Sequence, residues 1–185
     1  MELKLETGRP AEMTGRLEKE VRVYDLLDEL GIEYQRVDHE EANTMEACAE
    51  VDKLLGVTIC RNIFLCNRQQ TDFYLLLIEA DKIFKTKYLS AQLGTSRLSF
   101  APPEYMEEFL DIKPGAVSVM GLMNDHEKRV KLVMDKSIYE SDEIGCHPCV
   151  STASLRMKTS DILEIFLPST GHDVTVVDLP MVRNY

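Results

Sequence analysis

The sequence lacks a long apolar run. No stretch approaches the roughly 20 consecutive apolar residues that a membrane-spanning helix needs. The polar N-terminal residues also differ from a secretory signal peptide, which has an apolar centre. We therefore expect a cytoplasmic protein with no membrane partner.

Basic residues are scarce relative to acidic ones. The chain has 21 Lys and Arg against 32 Asp and Glu, and its formal net charge is −11. Because phosphate binding depends on a surplus of basic residues, this balance argues against sequence-independent coating of nucleic acid, and we expect no DNA partner. A local basic groove is nevertheless compatible with this negative net charge. Lys82, Lys85 and Lys87 form one short basic cluster, which is either a solvated face or a contact for phosphates.

Cysteine is also sparse. Five cysteines, an odd number without the density of a disulfide scaffold, are typical of a reducing cytoplasm. The 185 residues are 44% hydrophobic and 29% charged, which is ordinary for a globular protein and enough for one continuous core. We predict a tail or surface strap over residues 1–16 and one domain over residues 17–185.

Local patterns predict helices and strands that interleave. Apolar residues at helical spacing predict helices over 17–30 and 87–93, each closed by a glycine, and Asn43 or Thr44 can cap another helix that ends at residue 55. Further helices are predicted at 102–110 and 161–166. Strands are predicted at 32–37, 59–66, 73–78, 97–100, 116–123, 130–135 and 174–179. Because the strands within 59–78 and within 116–135 read as hairpins, the predicted class is α+β, a single domain with a mixed sheet.

The densest group of reactive side chains lies in the segment 145–155. It contains Cys146 and Cys149 with His147 between them, and hydroxyl side chains at positions 151, 152 and 154. The Cys-x-x-Cys spacing permits a thiol–disulfide redox site, although β-formers follow it where such a motif needs a helix. A zinc site would need about four ligands, and no second close pair of Cys or His is present. The other reading is a loop with buried cysteines.

A polar pair, Arg61-Asn62, interrupts the apolar strand predicted over 59–66. A buried charge is costly unless it is paired, so Arg61 either reaches an edge or lines a polar cavity beside Asn62. The segments 115–125 and 146–155 could supply further walls of that cavity.

These three segments, in this order, resemble the YbaK/ProX family of aminoacyl-tRNA editing domains, which are free-standing relatives of the editing insertion in bacterial prolyl-tRNA synthetases. The resemblance covers about residues 21–179. It is carried by LLDELGIEY at 26–34, VDH at 37–39, RNIFL at 61–65, RLSFA at 97–101, PGAVS at 114–118, GLMND at 121–125, HP at 147–148, TASL at 152–155 and TGH at 170–172.

The resemblance implies a fold and an activity. The fold would be a curved mixed sheet with flanking helices and a small amino-acid pocket. The activity would be hydrolysis of an aminoacyl ester without a metal or organic cofactor, and closest to the ProX branch, which deacylates tRNA(Pro) mischarged with alanine. Cysteine or serine esters are alternative substrates. Prolyl-tRNA synthetase is a possible partner beside the mischarged tRNA(Pro).

The resemblance also implies site residues. In the family a lysine stands at the position of Arg61, at the reacting end of the pocket. Catalytic roles fall to Arg61, Gly121 and His147, with backbone N–H groups near Gly121 stabilising the developing oxyanion. The implied substrate-binding residues are Thr44, Asn62, Gly115, Ser118, Met120, Leu122, Ser151, Thr152 and Ser154.

Several residues and the function itself have alternative readings. His147 is equally compatible with a hydrogen-bonded structural histidine, Thr44 with a helix cap, and Asn124-Asp125 with a hairpin turn. Two other functions stay open. One is a tRNA-binding or regulatory relative with weakened or lost catalysis, because Arg61 replaces the family lysine. The other is a thiol redox protein that uses the segment 146–149.

Overall fold

The computed structural model describes residues 2–42 and 44–181, in which strands and helices alternate and form two sheets, so the predicted α+β class is confirmed. The strands are β1 (Leu5–Thr7), β2 (Gln35–Asp38), β3 (Arg61–Asn67), β4 (Phe73–Ile78), β5 (Leu98–Phe100), β6 (Val130–Asp135), β7 (Glu143–Cys146), β8 (Ala153–Lys158) and β9 (Val174–Val177). The helices are α1 (Glu18–Leu30), α2 (Met45–Leu55), α3 (Thr86–Leu93), α4 (Pro103–Leu110), α5 (Lys136–Tyr139), α6 (Thr159–Asp161) and α7 (Leu167–Thr170). A 3-10 helix spans Val119–Asn124, and one π-helical turn, Ile162–Phe166, joins α6 to α7.

The larger sheet has the strand order β5-β3-β4-β6-β9. Strand β3 runs antiparallel to β4 and β5, whereas β6 runs parallel to both β4 and β9. All six residues of β4 are buried, which explains its uninterrupted apolar sequence. The helical segments between β4 and β6 supply the crossover that parallel pairing requires.

The smaller sheet has the order β1-β2-β8-β7 and is antiparallel throughout. An isolated bridge between Ile59 and Gly145 joins it to the larger sheet. A Cβ atom on Gly145 would lie 2.9 Å from Val57 Cγ1 and 3.3 Å from the Ile59 Cα. Glycine is therefore what lets the two sheets approach at this point.

Strand β3 contributes to two separate apolar clusters. Phe64 belongs to the main cluster, which α1 and α4 cover, and Ile63 belongs to a second cluster on the other face, which includes Leu89 of α3. Because side chains alternate along a strand, Arg61 lies on the face of Ile63 and Asn62 on the face of Phe64. This alternation separates the two polar residues that interrupt the strand.

Helix ends agree with the residues predicted to form them. Gly31 ends α1 in the left-handed conformation, with φ 71°. The Thr44 hydroxyl caps α2 by accepting the Ala47 N–H at 3.1 Å. The alternative cap, Asn43, lies outside the described residues.

The predicted second hairpin over 116–135 is wrong. Residues Val119–Asn124 form a 3-10 helix, which Ser118 caps by accepting the Met120 N–H at 3.1 Å, and β6 pairs with β4 and β9 instead. The apolar run is as buried as a strand would be, and a short buried run does not by itself distinguish a strand from a helical turn.

Asp125 holds a loop rather than a hairpin turn. Its carboxylate accepts the N–H groups of Arg129 and Val130 at 2.9 and 2.8 Å, and lies 2.9 Å from Nε2 of the buried His172. Burial acts to raise the pKa of Asp125, but the hydrogen bonds from His172 and the two backbone groups outweigh it and lower the pKa.

Lys82 is not part of an exposed basic cluster, and that prediction is wrong. Its Nζ donates to Asp135 Oδ2 at 2.5 Å, and both side chains are 1% exposed. The other carboxylate oxygen of Asp135 accepts the Leu179 N–H at 2.9 Å. The partner of Lys82 lies 53 residues further along the chain, so the local sequence does not reveal it.

The N-terminal segment lies along the smaller sheet. Residues Leu5–Thr7 form its edge strand, and the guanidinium of Arg16 contacts the carboxylates of Glu20 and Asp38. The boundary between a strap over 1–16 and a domain over 17–185 stays a prediction, and residues 1 and 182–185 lie outside the described ones. Among residues 2–42 and 44–181, no helix has the length and apolar character to span a bilayer.

Candidate functional site

A cavity of about 170 Å³ lies where the two sheets meet. It is lined by Ile59, Cys60, Asn62, Gly115, Val117 and His147. These residues come from the start of β3, from the loop before the 3-10 helix and from the turn between β7 and β8. The structure thus brings together the three segments that the sequence analysis singled out. Pockets for drug-sized ligands occupy roughly 300–1,000 Å³, so this one suits a much smaller group.

Asn62 has a buried acceptor without a partner. Its Nδ2 donates to the Cys60 carbonyl at 3.0 Å, which orients the amide. Its Oδ1 is buried, and no donor in the described part of the chain reaches it. Because an unpaired buried acceptor costs free energy, a ligand that offers an N–H or O–H here gains a hydrogen bond at little desolvation cost.

Nε2 of His147 has no hydrogen-bond partner among residues 2–42 and 44–181. Its Nδ1 lies 2.9 Å from the Ala153 carbonyl, which can only accept, so Nδ1 holds the proton and Nε2 keeps its lone pair. Burial lowers the pKa of His147, and the nearby His39 lowers it further, against the opposing hydrogen bond to Ala153. The imidazole is therefore neutral at pH 7 and able to accept a proton.

A second histidine stands behind the first. The rings of His39 and His147 meet edge to face with centroids 6.4 Å apart. Nδ1 of His39 lies 2.7 Å from the Glu40 carbonyl, so Nε2 accepts the Ser154 hydroxyl at 2.8 Å. The buried Ser154 hydroxyl is engaged there and does not line the small cavity. His39 was not predicted as a site residue, although it lies in the VDH motif.

Four predicted site residues of the 3-10 segment lie behind the cavity wall, and all are buried: Ser118, Met120, Gly121 and Leu122. The Gly121 N–H donates to the Ser118 carbonyl at 3.0 Å, so this amide is already engaged. A Cβ atom on Gly121 would lie 2.5 Å from Ile112 Cδ1 and 3.1 Å from Leu110 Cβ. Packing against the end of α4 therefore explains the glycine.

Two other backbone amides face no protein acceptor. Gly115, with φ 95°, and Val117 both line the cavity, and within the described residues neither N–H donates to a backbone or side-chain group. Three lining residues, Val117, Cys60 and Ile59, were not predicted from the sequence. Alternation could have indicated two of them, because Cys60 stands two residues before Asn62, and Val117 two after Gly115.

Arg61 is exposed and lies outside the cavity lining. It pairs with Ile78 across β3 and β4, on the sheet face opposite Asn62. Within residues 2–42 and 44–181 its guanidinium makes no hydrogen bond or ion pair. Its guanidinium is thus available to an anion that approaches the N-terminal end of β3.

A wider cavity of about 900 Å³ runs along the other side of the same loop. Lys113, Pro114 and Ala116 line it, together with Ser151 and Thr152. The Ser151 hydroxyl donates to Glu41 Oε1 at 3.1 Å, and Thr152 is exposed. Thr44, also exposed, lines neither cavity. Apart from Thr44, the predicted substrate-binding residues are therefore divided between the small cavity, its supporting wall and the wider opening.

The Cys-x-x-Cys thiols do not have the environment of a redox pair. Cys146 and Cys149 are free and 1% exposed. Burial raises the pKa of Cys146 and raises that of Cys149 to about 12, so both are protonated thiols at pH 7. Reactive cysteines need the opposite, an accessible thiolate with a lowered pKa. In the described part of the chain, no group of three or more His, Cys, Asp or Glu side chains is placed to hold a metal ion.

The sequence matches a known family over the part of the chain that builds the cavity. A model of the aminoacyl-tRNA editing domain matches residues 39–165, a range that includes every lining residue of the small cavity. The chain belongs to this family. The predicted resemblance to YbaK/ProX proteins is thereby confirmed. The family consists of aminoacyl-tRNA deacylases, so membership implies a tRNA that carries an amino acid as the class of substrate.

Curated relatives of this editing domain carry names that refer to prolyl-tRNA. The prolyl-tRNA editing protein ProX of Acetoanaerobium sticklandii is 29% identical over 153 residues, which cover 83% of this chain and 93% of that protein. The prolyl-tRNA synthetase associated domain-containing protein 1 of Danio rerio is 29% identical over 175 residues, covering 93% and 92%. Both are similar to this chain over nearly their whole length.

A solved structure has the same fold. A crystal structure described as that of a proposed trans-editing enzyme for prolyl tRNA synthetase superposes with a TM-score of 0.64. It is 17% identical, and the match covers 91% of this chain and 99% of the other. The fold of this editing domain is therefore that of the solved structure.

Proposed function

We propose that this editing domain hydrolyses the ester bond of tRNA(Pro) mischarged with a small amino acid, with alanine as the preferred one. The observation that carries the proposal is the 170 Å³ cavity, whose wall contains both an unpaired buried acceptor, Asn62 Oδ1, and a free basic nitrogen, Nε2 of His147. A synthetase pocket that accepts proline cannot strongly reject a smaller side chain, so a second, smaller pocket that removes alanine is chemically required for accuracy.

Asn62 would bind the amino group of the substrate. The α-ammonium of an aminoacyl ester offers N–H donors, and Oδ1 of Asn62 is an acceptor without one. The side chain of the amino acid would then face Ile59, Cys60 and Val117. Cysteinyl and seryl esters are the alternative substrates of similar size.

His147 would activate the water. Its Nε2 accepts a proton as the water oxygen bonds to the ester carbonyl carbon, and the imidazolium then returns a proton to the departing ribose oxygen. Alanine and tRNA with a free terminal hydroxyl are the products. An aminoacyl ester is already activated, so a positioned water suffices and no enzyme nucleophile is needed.

The developing oxyanion would be bound by backbone N–H groups. Gly115 and Val117 line the cavity, and their N–H groups donate to no acceptor in the described part of the chain, whereas the Gly121 N–H donates to Ser118. Gly121, Ser118, Met120 and Leu122 would act by supporting this loop. Ser151 and Thr152 would contact the nucleotide that carries the ester, from the wider opening, whereas Thr44 lines neither cavity and caps α2.

The names of the relatives support tRNA(Pro) as the substrate and prolyl-tRNA synthetase as a partner. Both molecules work in translation, so we also propose a cytoplasmic location.

The test is deacylation of alanyl-, cysteinyl- and prolyl-tRNA(Pro) under single-turnover conditions. We expect the wild type to hydrolyse the alanyl ester and to spare the prolyl ester. His147→Gln should lower the rate roughly 100-fold, which is the usual loss when a general base is removed. His126→Gln is the matched control, because His126 is an exposed histidine outside both cavities. Hydrolysis of the prolyl ester at the same rate, or a fully active His147→Gln, would contradict the proposal.

The exposure of Arg61 favours a second candidate, a relative that binds tRNA(Pro) without turnover. An exposed, unpaired guanidinium can hold a phosphate, but it cannot act as the base that a lysine could become. Arg61→Lys and Arg61→Ala separate the two candidates. If arginine supports catalysis, the wild type is active and Arg61→Ala is slower. If only Arg61→Lys hydrolyses the ester, the natural chain is a binding protein.

A further inference from the structure

A basic groove lies on the face of the larger sheet that is opposite the editing cavity. It has a volume of about 740 Å³, and it is lined by Phe84, Lys85, Thr86, Lys87, Ser90, Arg97 and Phe100. They lie in α3, in the two residues before it, in the edge strand β5 and in the residue that precedes β5. Phe100 pairs with Leu65 of β3, so both lie on the sheet face that also carries Arg61.

The groove concentrates positive charge in a protein whose net charge is −11. Lys85, Lys87 and Arg97 are exposed, and no carboxylate of the described residues lies within ion-pair distance of any of them. Lys82 shows the contrast, because it is buried against Asp135. Three uncompensated cations around one groove favour an anionic ligand.

The groove also exposes an aromatic ring. Phe100 is 63% exposed, although it stands on a strand whose neighbour Leu98 is 1% exposed. An exposed phenyl ring beside cations is the combination that binds single-stranded nucleic acid, in which bases stack on aromatic rings and phosphates contact Lys or Arg. An acidic protein surface would satisfy the cations but not the ring.

We propose that this groove binds unpaired RNA, and specifically the single-stranded nucleotides that precede the aminoacylated end of the substrate tRNA. The identity of that RNA rests on the proposed function; the groove's preference for a single strand rests on the groove alone. Phe100 stacks on a base, and Lys85, Lys87 and Arg97 contact its phosphates. Arg61 lies four residues along β3 from Leu65, about 13 Å at 3.3 Å per residue, a distance that a few nucleotides span. The RNA then turns past Arg61, around the edge of the sheet, and this brings its ester to Asn62 on the other face.

The test is equilibrium binding of uncharged tRNA(Pro), and of a short single-stranded RNA with the sequence of its 3′ end, by fluorescence anisotropy at several salt concentrations. The groove variant is Lys85→Ala/Lys87→Ala/Arg97→Ala. The matched control is Lys4→Ala/Lys53→Ala/Lys158→Ala, three exposed lysines on or beside the smaller sheet, which changes the net charge equally. We expect the groove variant to bind at least tenfold more weakly and with a smaller salt dependence, by roughly 0.7 in the log–log slope for each lost phosphate contact.

Stacking is tested separately at Phe100. Phe100→Leu keeps an apolar side chain but removes the aromatic face, and should weaken binding of the single strand on the order of tenfold. Phe100→Tyr should restore it. Equal binding by Phe100→Leu and the wild type would overturn the stacking assignment, and equal losses in the groove and control triple variants would overturn the groove itself. Displacement of the RNA by a hexaglutamate peptide as effective as unlabelled RNA would show that the groove recognises charge alone, and the assignment to RNA would be wrong.

Binding of uncharged tRNA is measured without hydrolysis, so the two proposals fail in different ways. If the wild type binds through the groove but releases no alanine, the groove stands and the proposed function falls. If the wild type deacylates alanyl-tRNA(Pro) and the groove variant does so with an unchanged KM, the proposed function stands and the groove falls.

Discussion

At the scale of single residues, the protonation state of His147 decides when the site can act. Burial lowers the pKa of His147, and the hydrogen bond to the Ala153 carbonyl leaves the lone pair on Nε2. The base is therefore active when neutral, and activity is lost only as the pH falls through a pKa below the ordinary value of about 6.5. We expect the pH profile of kcat/KM for deacylation to be flat at neutral pH, with its acid limb below pH 6.5. An acid limb at higher pH, or the same limb in a still active His147→Gln variant, would contradict this assignment.

At the scale of secondary-structure elements, one buried ion pair joins the segment after β4 to the end of β6. Lys82 and Asp135 are each 1% exposed, and Asp135 also holds the Leu179 N–H. Removing one partner leaves the other charge buried and unpaired, so Lys82→Met should lower the free energy of unfolding by about 3–5 kcal/mol in urea titrations. Lys136→Met, an exposed lysine next to the same aspartate in sequence, should change it by less than about 0.5 kcal/mol. In Lys82→Met/Asp135→Asn, which also removes the charge left behind, the loss should be smaller than in Lys82→Met alone. A double variant less stable than that single variant would argue against the pair.

At the scale of the whole molecule, the site depends on a close approach of the two sheets at Gly145. A Cβ atom on Gly145 would lie 2.9 Å from Val57 Cγ1 and 3.3 Å from the Ile59 Cα, beside the cavity wall. Gly145→Ala should therefore cost about 1–3 kcal/mol of stability in urea titrations and slow deacylation, because both sheets must shift. Adding Val57→Ala removes the nearer contact and should recover part of the stability. An unchanged unfolding midpoint in Gly145→Ala would show that the junction tolerates separation.

Much of this protein was predictable from local sequence patterns. Helix ends at Gly31 and Thr44 follow from backbone preferences of a few residues, and the β3–β4 hairpin joins neighbours in the chain. The three segments of the editing site and the family were also predictable, because short motifs in a fixed order carry them. These features need no contact between residues distant in sequence.

Tertiary structure alone decided the features that depend on distant partners. Residues 116–123 form a loop and a 3-10 helix instead of the predicted strand. Strand β6 pairs in parallel with β4, and a local hairpin pattern cannot predict such a pairing. Lys82 is buried in an ion pair with Asp135 rather than exposed in a basic cluster, and the two residues meet only after folding. Packing also buries Cys146 and Cys149, and this burial favours the protonated thiol over the thiolate. The chain itself determined its elements, its family and the composition of its site, and the pairing of the sheets decided which of those residues meet.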